Sequence, residues 1–153
     1  MQTRKDAMEK SMNELIEKLH EEGCSCVVSN KEVRTYTHRG VDDLYRLLTQ
    51  EPTFLDGAEV ADRVVGKAAA AMMVKGGVKN VYADLISLSA LTLLRKAGVT
   101  TDYDQLVTYI KNTKLTDWCP VEALCYNEQT VDEILPVVQR FVENKEQFFQ
   151  TKS

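Results

Sequence analysis

The sequence predicts an α/β fold with a largely parallel sheet, and three of its features carry that prediction. Between Ala58 and Val107, strand-like runs alternate with helical runs of roughly ten residues, the pattern of crossover connections between parallel strands. The first of those helices contains Ala68, Ala69, Ala70, Ala71, Met72, Met73 and Val74, apolar on every side, so it must be buried. Ahead of them stand an amphipathic helix and a hairpin signal, which add an antiparallel portion to the sheet.

Met8, Met12, Leu15, Ile16 and Leu19 recur at helical spacing before Gly23, which predicts a surface helix over 5–22 with a glycine cap. "CSCVVSNKEVRTYTH" then places two β-rich runs around Ser29, Asn30, Lys31 and Glu32. Val41, Leu44, Leu47 and Leu48 make a short helix that Pro52 should end. Strands are expected at 58–64, 80–86 and 100–107. Helices are expected at 66–75, stopped by Gly76 and Gly77, and at 88–97, stopped by Gly98. Residues 111–118, "KNTKLTDW", read as a loop. A helical segment follows over about 119–150, in which Thr130 and Glu133 suit a capping box. Ile134, Leu135, Val138, Phe141 and Val142 form its inward stripe, and Pro136 should kink that helix or mark a later start.

A chain of 153 residues is the size of one domain, so 1–153 is expected to fold as a single unit. Its net charge of −4 supplies no broad positive field, which argues against nucleic acid or an anionic membrane as partner. The amino terminus "MQTRKDAMEKSM" has no apolar core segment, and other apolar runs fall short of the roughly 20 residues that span a bilayer. A cytoplasmic protein with no membrane partner is the expectation. Cys24 and Cys26, on one side of one strand, are disfavoured as a disulfide, and C-x-C and C-x5-C miss the usual zinc spacing. Reduced thiols, and no metal or other cofactor, are therefore expected.

In open α/β sheets, ligands bind beyond the carboxyl ends of the parallel strands. Here those places are Asp62 to Lys67 and Ser87 to Ser89. A lysine in a first helical turn opposes the helix dipole, and a bound anion would remove the conflict. Gly66 leaves the backbone open and Lys67 adds a point charge, but no glycine-rich Walker loop precedes them. The plainer reading pairs Lys67 with Asp62 or lays its stem along the surface. Ser87 suits a helix cap.

"DWCPVE" is a second constellation: Pro120 fits a first helical position, with Cys119 as cap and Glu122 in the first turn. A thiol there can be nucleophilic, with Glu122 as proton acceptor, although the carboxylate charge opposes thiolate formation. Cys125 stands too far along a helix to resolve a disulfide with Cys119. His20 and His38 show no carboxylate or serine partner in the sequence and read as structural or surface residues.

"GAEVADRVVGKAAAAMMVKGGVKNVYADLIS", followed after a further strand by "CPVE", resembles a family of small bacterial and archaeal proteins of unknown function with a cytidine-deaminase-like fold. The likeness spans residues 12 to about 145. It implies a three-layer α/β/α domain with a mixed sheet, an N-terminal β-hairpin and a βαβαβ core. Active deaminases carry H-x-E or C-x-E at one helix start and P-C-x-x-C at the next. Val65, Gly66 and Lys67 occupy the first place here, and Ser87, Leu88 and Ser89 the second, so zinc-dependent deamination is not expected. The resemblance makes Asp62, Lys67, Cys119 and Glu122 the residues to follow. The leading expectation is a small anionic or nucleotide-like ligand held by Asp62, Gly66, Lys67 and Ser87. The alternatives are a group-transfer or hydrolytic enzyme with Cys119 and Glu122 as catalytic residues, and an inactive scaffold or oligomerisation module. The sequence leaves a homo-oligomer open.

Overall fold

The computed structural model describes residues 3–37, 41–108, 110, 120–125 and 127–143. The chain runs α1 (Thr3–Glu21), β1 (Cys26–Asn30), β2 (Glu32–Tyr36), α2 (Asp42–Gln50), α3 (Pro52–Leu55), β3 (Glu59–Val65), α4 (Lys67–Gly76), β4 (Asn80–Ser87), α5 (Leu88–Lys96), β5 (Thr100–Val107), α6 (Pro120–Cys125) and α7 (Val131–Glu143). The strands form one mixed sheet in the order β2-β1-β3-β4-β5. β1 is antiparallel to both β2 and β3, whereas β3, β4 and β5 are parallel.

Side chains along the inner strands alternate between two apolar clusters, as the pleat requires. Val27, Ala61 and Tyr82 pack under α1 with Met12, Leu15 and Leu19. Cys26, Val28, Val60, Val81 and Ala83 face the other way, with buried residues of α2, α4, α5 and α7. Helices therefore cover both faces, and α4 is the innermost: Ala68 to Met73 are all at most 5% exposed. Its unbroken apolar run is what that position demands.

Several local details differ from the sequence expectation. The hairpin turn is tighter than four residues, because Asn30 pairs directly with Glu32 and only Lys31 lies between them, at φ 67°. Asn30 supports this turn by donating its amide to the carbonyls of Phe54 at 2.8 Å and Asp56 at 3.0 Å. Pro52 ends α2 and also opens α3 at a position that needs no N–H donor. Gly76 is the last residue of α4, and Gly77 alone is its left-handed cap, at φ 86°. The amides of Gly77 and Val78 bond the carbonyls of Val74 and Met73, which closes the helix as a Schellman motif. Pro136 lies inside α7, which begins at Val131, so it marks no later start.

Cys24 and Cys26 do not share a face. Cys24 precedes β1 and joins the α1 cluster, and Cys26 points into the other. Both are buried thiols outside any disulfide, and Cys125 is buried as well. The stretch 111–118 read as a loop lies outside the described residues. No helix among the described residues is long and apolar enough to cross a membrane.

Candidate functional site

Parallel register places the ends of β3 and β4 side by side, with Val65 opposite Ile86. The next residues of each strand are the starts of α4 and α5, so Gly66 and Lys67 stand beside Ser87 and Leu88 at one edge of the sheet. This is the edge where α/β domains bind ligands. Gly66 is the N-cap of α4, extended at φ −100° and ψ −176°, and offers no side chain to its first-turn amides. Its carbonyl accepts from Ala70 N at 2.9 Å, the first bond of the helix.

Lys67 is the first residue of α4 and only 8% exposed. A lysine is rarely so enclosed, and neither plain sequence reading describes it. Its stem does not lie along the surface, and among the described residues no ion pair joins it to Asp62. Ser87 is fully buried and caps α5: its Oγ accepts from Ala90 N at 3.2 Å and lies 3.3 Å from Ser89 Oγ. The cap role read from the sequence is thus satisfied, and the hydroxyl also sits at the same edge as Lys67.

Asp62 belongs to a different environment. It lies inside β3, opposite Cys26 of β1, and the Cys26 thiol donates to its carboxylate. Burial pushes the Asp62 carboxyl up to about 7, against the opposing pull of the Val64 and Arg63 amides and the thiol. Burial likewise pushes the Cys26 thiol well above its usual range, helped by the charges of Asp62 and Asp43. Of the four ligand-binding candidates, the structure therefore gathers Gly66, Lys67 and Ser87 and sets Asp62 apart with Cys26. Cys119 lies outside the described residues. Glu122 belongs to α6, which does begin at Pro120, but its side chain also lies outside the described set.

One constellation escaped the sequence reading. His20, assigned no carboxylate partner there, meets one: its Nε2 lies 2.8 Å from Asp84 Oδ1, across 64 residues of chain. The Tyr82 hydroxyl donates to the same oxygen at 2.8 Å. Tyr82 and Asp84 sit two apart on β4 and so share the α1 face, a spacing visible in the sequence, but only the packing of α1 brings His20 to them. His38 lies outside the described residues.

Residues 14–142 match the family described as "Domain of unknown function (DUF1893)". The chain belongs to the DUF1893 family. Among solved structures it is similar to a DUF1893 family protein (TM1506) from Thermotoga maritima, with a TM-score of 0.77 and 23% identity over 84% of this chain and 87% of that one. That likeness concerns the shared DUF1893 fold. No curated protein matches the chain.

Proposed function

We propose that this DUF1893 chain is a binding domain of cytidine-deaminase-like arrangement, which holds a small anionic or nucleotide-like molecule where α4 and α5 begin. The observation that carries the reading is Lys67, 8% exposed in the first turn of α4. The ammonium group adds positive charge beside the first-turn amides of α4, the place where a helix start holds an anion. Gly66 supports it by leaving the first-turn amides of α4 without a side-chain cap. Ser87, one strand away, supplies a hydroxyl at the same edge.

The deaminase-like part of the proposal is supported by the strand order, with an antiparallel hairpin beside three parallel strands. In that arrangement, Gly66-Lys67 and Ser87-Leu88-Ser89 occupy the helix starts where a deaminase carries its zinc ligands and catalytic glutamate. A lysine in that place contributes fixed positive charge and selects for anions.

A thermal-shift series with nucleoside mono-, di- and triphosphates, inorganic phosphate and small carboxylates, on wild type and Lys67→Ala, tests the reading. A ligand at about 100 times its dissociation constant should stabilise wild type by about 2.7 kcal/mol and leave Lys67→Ala unmoved. Absence of any shift in wild type, or equal shifts in both proteins, would overturn it.

A further inference from the structure

Asp62 lies inside β3 next to the antiparallel β1, and its surroundings are unusual for a carboxylate. The residue is 9% exposed and faces Cys26, itself 7% exposed, across the β1–β3 pair. From α2, the 7%-exposed Asp43 brings a second carboxylate toward Cys26, with Arg46 Nη2 at 2.8 Å from its Oδ1. β4 adds the charge of Asp84, and Cys24 lies on the chain leading into β1. On β3 itself, Arg63 turns to the opposite face, where it donates to the carbonyls of Cys24 and Leu19. α4 contributes Lys67 after the end of β3. Among the described residues, no ion pair joins Asp62 to a cation. Its partners are a thiol and two backbone amides, the Val64 amide at 3.4 Å.

A buried carboxylate without a counter-cation is strongly disfavoured, whereas a carboxylic acid in the same place is tolerated. We propose that Asp62 is a proton-operated latch on the β1–β3 pair: protonated, it holds the two strands together beside Cys26, and ionised, it loosens them. Ionised Asp62 places a negative charge against the buried Cys26 of the neighbouring strand, with no cation among the described residues to offset it.

The folded carboxyl is raised to about 7 from an ordinary 3.8, mainly by burial. The folded state therefore binds the proton more tightly than the unfolded chain does. Stability from this group is fully present below about pH 4, declines as pH rises, and is lost above about pH 7. The latch is independent of whatever Lys67 binds, since it concerns a different cluster.

The test uses the full chain labelled with carbon-13 and nitrogen-15. The Asp62 carboxyl carbon shift is followed from pH 4.5 to 8.5, with amide hydrogen exchange measured on wild type and Asp62→Asn and corrected for intrinsic rates. The carboxyl should titrate near neutrality, and protection in Cys26–Asn30 and Glu59–Val65 should fall about tenfold or more between pH 5.5 and 8.5. Asp62→Asn should show no such fall. A carboxyl that is already ionised at pH 5 overturns the proposal, even if the variant does not fold. So does a titration without loss of protection, or an equal loss in both proteins.

Discussion

Gly76→Ala sets two effects against each other, and the structure says which one wins. Replacing glycine by alanine in a helix ordinarily stabilises it by up to about 1 kcal/mol, less at a terminal residue such as this. At Gly76 a new Cβ would lie 2.8 Å from Leu55 Cβ, 2.8 Å from Leu55 Cδ1 and 3.3 Å from Leu55 Cγ. Carbon atoms pack best at about 3.5–4.0 Å, so two of these contacts are deep in the repulsive range. A rotamer change can withdraw Cδ1, but Cβ moves only with the backbone of α3. Leu55 is fully buried, which leaves it no space to yield. Overpacking of this kind costs about 1–3 kcal/mol, so the net effect is a loss of about 1–2 kcal/mol. Urea unfolding followed by far-ultraviolet circular dichroism reads it as a lower midpoint at constant slope. For a chain of this size, that loss corresponds to a melting temperature lower by roughly 2–8 °C. The exposed neighbour Lys75→Ala serves as control and should stay within about 0.5 kcal/mol. A Gly76→Ala protein as stable as wild type, or more so, would show that α3 does not press on α4 as described.

Other substitutions probe separate parts of the molecule. Ser87→Ala removes the cap bonded to Ala90 N and should cost about 1 kcal/mol in chemical denaturation. Thr130→Ala should cost a similar amount or less, because Thr130 caps the exposed start of α7 through Glu133 N at 3.2 Å. Leu19→Ala empties a fully buried position between α1 and the sheet and should lower stability by about 2–5 kcal/mol, with the melting temperature as readout. His20→Ala should cost less than about 1 kcal/mol by the same measure, since the imidazole that meets Asp84 is 47% exposed.

Elements whose character is local were readable from the sequence. The seven-residue apolar run after Lys67 requires a helix buried on all sides, and β5 occupies the residues the alternation marked. The tight hairpin was less legible, because Asn30 braces it through carbonyls of a distant helix. The same limit applied to the site. Adjacent strand ends could be inferred from alternation, so Gly66, Lys67 and Ser87 were found together. Asp62 was grouped with them by proximity in sequence, yet the pleat aims it at Cys26, and only strand register determines that meeting. His20 and Asp84 belong together for a similar reason: the docking of α1, not any spacing, unites them. Burial of Lys67 is likewise a property of the packed layers and leaves no mark in the local pattern.

The cover that α1 lays over one face has a consequence for the order of events on the ribosome. α1 is translated before its seat, because the strand that bears Ala61 and the one that bears Tyr82 follow only after both hairpin strands and two further helices. At roughly 5–20 residues per second, Met12, Leu15 and Leu19 stay without their seat for several seconds. During that interval the nascent chain offers an amphipathic segment to whatever apolar surface is near, a chaperone included. A molecule that makes its lid before the seat must keep that lid harmless until there is something to close.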